Sequence, residues 1–315
     1  MDTDSTDPGS RMNLLAAVSQ QSKLCLESMV KVDFGALSHA GKVRKNNEDH
    51  FLVTRLGRSI EPLMTNMPAG QLPERLAEYG YGMLVADGMG GAAAGEVASR
   101  MAINLLVKLI IDTAKWGRRI DEQEAEALMQ RLDNYYNAIH SELVRQGAID
   151  PSIAGMGTTL TVAYSFCSDL FVAHAGDSRA YLVREGQLRQ LTRDHTVAQK
   201  LADDGDIPQE EVAKHRFRHV LTNVLGGHSR PLVTEIQQFQ LADRDRLLLC
   251  SDGLTDMIDD AAIQAVLQKI EPSQEACEKL LDLALDAGGK DNITIILARY
   301  AFSEQTADVG SRRLL

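Results

Sequence analysis

The sequence has few of the features that mark secreted, zinc-binding or nucleic-acid-binding proteins. Its 315 residues include only four cysteines, none in a C-x-x-C pair, and 33 basic residues stand against 44 acidic ones. The sparse cysteines argue against a disulfide framework and a zinc site. The net charge of -11 argues against a nucleic-acid partner, because phosphate backbones repel an acidic protein. We therefore expect reduced thiols and a cytoplasmic location.

Long hydrophobic runs are also missing. The longest apolar helical segment, AINLLVKLIIDTA, contains Lys108 and is too short and too charged to span a bilayer, so we expect no membrane association. The first residues, MDTDSTDPGS, are acidic and polar and do not resemble a signal peptide. We expect residues 1–31 to form an N-terminal extension, partly disordered or helical, and residues 303–315 a flexible tail. Residues 32–302 are numerous enough to bury one large core.

The hydrophobic periodicity predicts helix pairs that alternate with groups of short strands. Residues 98–109 and 128–143 carry apolar side chains at helical spacing, and two further helices are expected around 259–288. Strand-like runs such as TLTVAYSF, LFVAHAG and RAYLVR are joined by short turns, which favours antiparallel pairing. This order indicates antiparallel sheets with helices on their outer faces. Segment 57–80 contains three prolines and is predicted to be a loop insertion, and HVLTNVL, residues 219–225, a strand.

Acidic residues stand where several apolar strands end or begin. MLVADG ends on Asp87, FVAHAGD on Asp177 and LLLCSDG on Asp252, whereas Asp291 and the Glu48–Asp49 pair precede strands. In antiparallel sheets the end of one strand lies beside the start of its neighbour, so all these groups could meet at one edge. Clustered carboxylates repel one another until protons or cations neutralise them. A ligand set made only of oxygen prefers Mg²⁺ or Mn²⁺.

Glycine follows two of these aspartates. Gly88 comes after Asp87 and Gly253 after Asp252. Glycine permits a positive φ and removes side-chain bulk, so a backbone carbonyl can also approach a metal. A lone Asp-Gly pair is ordinarily a structural turn. The repeated occurrence at strand ends is what favours a metal site over turns alone.

A nucleotide-binding loop is the alternative for VADGMGGAAAGEVAS, residues 85–99. Gly88, Gly90 and Ala93 match a relaxed G-x-G-x-x-G/A pattern. A dinucleotide fold needs a second strand that ends in an acid about 20 residues further on, and here a helix continues instead. No Gly-Lys-Ser/Thr follows, and Asp87 would repel a pyrophosphate. The sequence therefore favours a metal site.

Eight segments, taken together and in chain order, resemble the metal-dependent type 2C serine/threonine protein phosphatases of the bacterial branch. They are GKVRKNNED, VADGMGG, GMGTTLTVA, AHAGDSRAYLV, LTRDHT, VLTNVLGG, LLLCSDGLTDMI and GGKDNITIILAR. The resemblance covers about residues 32–300. It implies an α+β fold, a four-layer α-β-β-α sandwich of two antiparallel sheets flanked by helix pairs.

The resemblance also implies a binuclear centre of Mg²⁺ or Mn²⁺ and the residues that form it. The implied ligands are Glu48, Asp49, Asp87, Gly88, Asp252 and Asp291. Asp87 would bridge the two ions, Gly88 would use its carbonyl, and Glu48 would act through a water molecule. Asp177 and Asp252 would hold a third, weaker ion. Asn292 is expected to support the site rather than to bind metal.

The implied reaction is hydrolysis of phosphoserine and phosphothreonine in proteins that a Ser/Thr kinase has phosphorylated. A water or hydroxide that bridges the two metals would attack phosphorus in line, without a phosphoenzyme. Arg44 would hold the substrate phosphate and, with Asp49 and Asp87, form the catalytic set. A catalytically silent scaffold that binds phosphoproteins is the alternative, although every expected acid is present.

Two features of the resemblance leave questions open. Met89 stands where many eukaryotic relatives have a histidine, proposed to protonate the leaving group, so a metal-bound water is the expected donor. His39, His174 and His195 are interpreted as structural or surface residues. Residues 195–230 correspond to a mobile segment beside the site, which we call the flap. Its basic run KHRFRH could steer a phosphopeptide inward, or could simply be a solvated helix end.

Overall fold

Two five-stranded antiparallel sheets form the centre of the computed structural model, which describes residues 30–61, 63–64, 66–67, 76–90, 94–113, 122–227 and 231–302. The first sheet contains, in spatial order, β1 (Val30–His39), β13 (Ile293–Phe302), β12 (Arg246–Cys250), β8 (Arg179–Arg184) and β9 (Gln187–Gln190). The second contains β11 (Glu235–Gln240), β7 (Asp169–Ala175), β6 (Leu160–Phe166), β3 (Leu76–Ala86) and β2 (His50–Ile60). A small third sheet consists of β10 (Leu225–Gly226), β5 (Gly157–Thr158) and β4 (Gly88–Met89).

Two pairs of helices cover the outer faces of the two large sheets: α1 (Ala94–Thr113) with α2 (Glu122–Ile149), and α5 (Asp260–Lys269) with α6 (Ser273–Asp286). Between these pairs in the chain come α3 (Val197–Asp203) and α4 (Asp252–Thr255), and 3₁₀ turns occur at Pro151–Ile153 and Gln209–Lys214. None of the helices within the described ranges is long and apolar enough to cross a membrane.

The alternation of side chains along β3 explains why the second sheet is buried on both faces. Leu84 and Ala86 pack in one cluster with α1 and α2, whereas Met83 and Val85 pack in another with the first sheet. Successive residues of a strand point to opposite faces, so a strand that is covered on both sides has a continuous apolar run. This accounts for the run GMLVA in the sequence.

The same alternation continues through β12 of the first sheet. Leu247 and Leu249 face the second sheet, and Leu248 and Cys250 face α5 and α6. The order of layers is therefore α1/α2, second sheet, first sheet, α5/α6. The predicted α+β sandwich of two antiparallel sheets flanked by helix pairs is confirmed.

The loop insertion predicted for residues 57–80 is wrong at its two ends, because residues 57–60 belong to β2 and residues 76–80 to β3. β2 and β3 form a long hairpin whose register runs from His50↔Ala86 to Ile60↔Leu76. The three prolines that suggested a loop lie outside the described residues. Across this hairpin the Arg55 guanidinium lies 4.4 Å from the centre of the Tyr79 ring, a cation–π contact between the two strands.

The strand predicted for residues 219–225 is also wrong. Only an isolated bridge, Thr196↔Leu221, and the two-residue β10 occur there. Asn223 explains the difference, because its side chain exchanges two hydrogen bonds with the backbone of Val233. Hydrogen bonds from the Asn223 side chain therefore take the place of backbone pairing between strands.

The first strand begins two residues before the predicted start of the domain at residue 32. Val30 and Lys31 belong to β1, so the first strand begins inside the predicted 1–31 extension. The rest of that extension and the predicted tail at 303–315 lie outside the described residues.

Candidate metal centre

The pairing of β2 with β3 brings Asp49 and Asp87 together. β2 begins directly after Asp49, and its first residue, His50, pairs with Ala86 at the end of β3. The Asp87 backbone is then held by Thr159. Its N–H donates to the Thr159 hydroxyl at 3.0 Å, and its carbonyl accepts from the Thr159 N–H at 2.9 Å. The carboxylate of Asp87 therefore projects from a fixed backbone at the edge of the second sheet.

The first sheet contributes Asp252 and Asp291 in the same way. β12 ends at Cys250, which pairs with Ile295 in β13. Asp252 follows β12 as the first residue of α4, and Asp291 precedes β13. The end of one strand again lies beside the start of its neighbour. The structure thus places both acids at the same edge, where each raises the pKa of Asp87.

Asp49 lies between the two sheets and is almost fully buried, with 4% of its surface exposed. The hydroxyls of Ser251 and Thr294 both donate to Asp49 Oδ2 at 2.7 Å. Asp49 Oδ1 is buried without a hydrogen-bond partner, and so is Asp252 Oδ1. Buried carboxylate oxygens are ordinarily satisfied. Two unsatisfied oxygens on neighbouring acids are the arrangement expected of a site that binds cations.

The electrostatics of the cluster agree with this interpretation. Burial raises the pKa of Asp49 to about 6. Burial, followed by the charge of Asp49, raises the pKa of Asp87 well above its usual range. Burial, followed by the charge of Asp177, does the same to the pKa of Asp252. These carboxylates destabilise one another's charged forms, and divalent cations would relieve that repulsion.

Asp177 follows β7 and lies on the same side of the molecule. It is buried, and burial together with the charges of Asp194 and Asp256 raises its pKa to about 7. The preceding Gly176 has a φ of +125°, and a Cβ there would collide with the Thr159 side chain. Glycine is therefore required for the turn that directs Asp177 towards Asp252.

Arg44 lies at the exposed rim of the acid cluster. Its Nη2 is 2.5 Å from Asp291 Oδ2, and 58% of the Arg44 side chain is exposed. Glu48 is half-buried, and its pKa is raised by burial and by the charges of Asp291 and Glu96. Asn292, next to Asp291, accepts a hydrogen bond from the Glu48 N–H and so supports the loop that carries Arg44. The structure therefore brings the predicted phosphate-binding and metal-binding residues together.

Gly88 and Gly253 are needed because they lack a side chain, and not because their backbones adopt a positive φ. Neither Gly88 nor Gly253 adopts a left-handed φ, so the predicted need for positive φ is wrong at both. A Cβ at Gly88 would overlap the Gly95 carbonyl, and one at Gly253 would overlap the Asn292 carbonyl. The absence of a side chain allows these backbones to approach closely, so the prediction that glycine removes bulk here agrees with the structure.

The histidines considered in the sequence take part in other contacts. His174 is fully buried, and its ring nitrogens lie 2.9 Å from Thr161 Oγ1 and 3.0 Å from the Gly176 carbonyl. His195 lies beside it, with 4.9 Å between ring centres. His39 accepts a hydrogen bond from the Gly41 N–H. Sequence reasoning missed a different histidine, His219, which lies 3.4 Å from Asp256.

The sequence profile of the protein phosphatase 2C family matches residues 75–286. The chain belongs to this family. The predicted membership is therefore confirmed, and Asp87, Asp177 and Asp252 of the acid cluster lie within the matched residues.

Relatives and solved structures agree with the family assignment. Over 265 residues the chain is 37% identical to serine/threonine protein phosphatase PstP of Mycobacterium tuberculosis, covering 84% of this chain but 44% of that protein, so it spans less than half of that relative. It is 34% identical to the serine/threonine phosphatase stp of Listeria monocytogenes over 72% of this chain and 88% of the relative. A crystal structure of the PstP catalytic domain in complex with two manganese ions aligns with a TM-score of 0.66 and 34% identity, covering 86% of this chain and 99% of that one.

Proposed function

We propose that this chain hydrolyses phosphoserine and phosphothreonine esters in proteins and requires two divalent ions, Mg²⁺ or Mn²⁺. The observation that carries the proposal is the acid cluster in which Asp49 Oδ1 and Asp252 Oδ1 are buried without partners. The phosphatase names of the relatives, and the two manganese ions in a related structure, support it. The alternative of a silent phosphoprotein-binding scaffold is disfavoured because no acid of the cluster is replaced.

The donor set suits these ions. Its members are hard oxygen ligands: the side chains of Glu48, Asp49, Asp87, Asp252 and Asp291 and the carbonyl of Gly88. Asp87 would lie between the two ions, and Asp177 with Asp252 would serve a third. When bound, such ions activate a water molecule for in-line attack on phosphorus and neutralise charge on the phosphoryl oxygens.

Arg44 would bind the substrate phosphate. Its pKa is raised mainly by Asp291, so the guanidinium stays charged throughout the working pH range. A guanidinium can donate to two phosphate oxygens at once. These two hydrogen bonds strengthen in the transition state, because negative charge on the phosphate oxygens increases there. The substrate phosphate would take over part of the contact that Arg44 now makes with Asp291.

The leaving oxygen of serine or threonine needs a proton. Met89, which follows Gly88 in β4, has a thioether that carries no acidic proton. Its side chain is partly exposed. We infer that a water molecule held at the metal site, rather than the side chain at this position, would supply the proton.

The setting of the reaction is part of the proposal. The substrates would be proteins phosphorylated by a Ser/Thr kinase, and we expect no nucleic-acid or membrane partner. The phosphatase domain would comprise residues 32–302, with the flap at 195–230.

A cytoplasmic location is supported by Cys250 and Cys277, which are buried free thiols whose pKa is raised to about 12 by burial. Free thiols are typical of reducing compartments.

A phosphatase assay tests the proposal. Purified protein would be incubated with p-nitrophenyl phosphate and with a phosphothreonine peptide, first with Mn²⁺ and then with excess chelator. We expect turnover that requires metal and returns when Mn²⁺ is added back. Metal-dependent peptide binding without turnover would instead favour the scaffold.

A further inference from the structure

His195 lies where the flap begins, and it contacts the turn that carries Asp177. Gly176, the residue before Asp177, donates its backbone N–H to His195 Nδ1 at 3.1 Å. The Gly176 carbonyl accepts the backbone N–H of His195 at 2.7 Å and lies 3.0 Å from Nε2 of His174. Two histidines therefore bind both polar groups of the Gly176 backbone.

The direction of the Asp177 side chain depends on this turn. Gly176 has a φ of +125°, in a region of backbone conformation that favours glycine. Glycine has more backbone freedom than any other residue, so the contacts around it must fix its conformation. Asp177 follows directly and is buried. The hydrogen bonds from His195 to Gly176 thus help to determine where the Asp177 carboxylate lies.

The opposite side of His195 contacts the segment in which the chain leaves the flap. The His195 carbonyl accepts the Thr222 N–H at 2.8 Å, and Nδ1 lies 3.0 Å from the amide nitrogen of Asn223. Two residues further along, the Val197 N–H donates to the Val220 carbonyl at 2.8 Å. The residues that enter and leave the flap therefore pair with one another around His195.

The ring of His195 has a defined orientation. The Gly176 N–H and the Asn223 amide nitrogen are both donors, so Nδ1 accepts in both contacts and carries no proton. The ring proton is then on Nε2, which lies 3.6 Å from Oε2 of Glu235. A carboxylate on the far side of an imidazole selects the tautomer in this way. One nitrogen atom is thus shared between the Asp177 turn and the flap.

We propose that His195 is a positioning residue that directs Asp177 towards the third ion and couples the binding of that ion to the order of the flap. The inference rests on the proposed function, because the third ion, held by Asp177 and Asp252, is part of it. Side chains that orient metal ligands ordinarily change metal affinity by about tenfold to a hundredfold. The coupling is reciprocal, since an ion that fixes Asp177 also fixes Gly176 and, through His195, residues 220–223.

Two amide substitutions separate the role of Nδ1 from that of the rest of the ring. His195→Asn places an amide oxygen near the position of Nδ1, where it can accept from Gly176. His195→Gln places its amide near the position of Nε2, beside Glu235, and leaves the Gly176 N–H without this acceptor. His215→Gln, in the flap with its ring 5.5 Å from that of Phe217, is the matched control.

Calorimetric titration of the metal-free, full-length protein with Mn²⁺ tests the ion site without any substrate. We expect the wild type to bind two ions tightly and a third more weakly. His195→Gln should weaken the third site by about tenfold or more and leave the two tighter sites unchanged. His195→Asn should recover most of the affinity, and His215→Gln should bind like the wild type.

Hydrogen exchange of peptides that contain Thr222, followed by mass spectrometry, tests the link to the flap. The comparison is between Mn²⁺ concentrations that fill the two tighter sites and concentrations that fill all three. Filling the third site should slow exchange at least about fivefold in the wild type and in His195→Asn, but not in His195→Gln. Asp177→Asn keeps His195 but lacks the ion ligand, so this slowing should be lost there as well.

Several results would overturn the inference. They are equal affinity for the third ion in the wild type and His195→Gln, a His195→Asn protein as weak as His195→Gln, a wild type that binds only two ions, and slowing of Thr222 exchange that persists in His195→Gln or Asp177→Asn. Proteins that show the expected differences in Mn²⁺ binding but no phosphatase turnover in the wild type would contradict the proposed function alone.

Discussion

The backbone N–H of Glu48 donates to Oδ1 of Asn292 at 2.7 Å, which ties the loop that carries Arg44 to the start of β13. The amide nitrogen of Asn292 donates to the carbonyls of Ala40 and Asn46 at 3.0 and 2.9 Å. One buried side chain therefore satisfies three backbone groups of the loop. It fixes the loop relative to the acids of both sheets.

Asn292→Ala is expected to impair substrate positioning. The substitution leaves three backbone groups without their partner and lowers the free energy of unfolding by about 1–3 kcal/mol. Displacement of Arg44 should lower kcat/KM for a phosphopeptide by about tenfold to a hundredfold. Lys45→Ala, an exposed change in the same loop, is the control. Wild-type kcat/KM in Asn292→Ala would show that the loop is held by other contacts.

The location of the acid cluster follows from a simple feature of the sequence. Asp87 and Asp252 end apolar runs, Asp49 and Asp291 precede them, and antiparallel pairing places such ends side by side. The supporting hydroxyl of Thr159 has no such signal, since a threonine after a strand-like turn is common. Its role depends on the register between distant strands, which composition and periodicity do not specify.

Asp252→Asn is expected to lower turnover and, at the same time, to raise the stability of the metal-free protein. Loss of a charged ligand should lower turnover by about a hundredfold or more. The neutral amide also removes one of the charges that raise the pKa of Asp87. Without metal the variant should therefore melt at a higher temperature than the wild type, and Mn²⁺ should raise its Tm by less.

Thermal melts with chelator and with Mn²⁺ measure both effects. Asp282→Asn, on α6 away from the cluster, is the control and should melt like the wild type in both conditions. A metal-free Asp252→Asn protein that melts below the wild type would contradict the claim that these carboxylates repel one another.

The stability of the metal-free protein should fall as the pH rises from about 4 to 7. Folding raises the pKa of Asp49 to about 6 and that of Asp177 to about 7. The folded state therefore holds more protons than the unfolded chain between the two pKa values. The stabilisation is complete below about pH 4, the unfolded value, and is lost as the pH passes the folded values.

Denaturant melts in chelator across this pH range check the expectation. The slope should be reduced in Asp49→Asn, which removes one of the carboxylates whose pKa folding raises. Excess Mn²⁺ should reverse the trend, because protons and metal compete for the same oxygens. A metal-free protein that gains stability from pH 4 to 7 would contradict the raised pKa values.

The length of the β2–β3 hairpin and the position of His219 could not be predicted from the local sequence. The three prolines between β2 and β3 indicated a loop, and residues 57–60 and 76–80 are poor in β-branched side chains, yet the hairpin ladder reaches Ile60↔Leu76. His219 was assigned to a basic run because its neighbours in sequence are basic. Its neighbour in space, Asp256, lies on α4, and only the tertiary structure joins them.

Thr294→Val is expected to weaken metal binding while preserving the shape of β13. The hydroxyl of Thr294 donates to Asp49 Oδ2 at 2.7 Å and helps to keep Asp49 ionised by lowering its pKa. Valine fills the same space but offers no donor, so the pKa of Asp49 should rise and Mn²⁺ affinity should fall by about tenfold to a hundredfold. Calorimetric titration with Mn²⁺ at two pH values measures this, and the deficit should shrink at the higher pH. Thr294→Ser restores the hydroxyl and should recover most of the affinity; a serine variant as weak as the valine variant would show that packing, and not this hydrogen bond, sets the affinity.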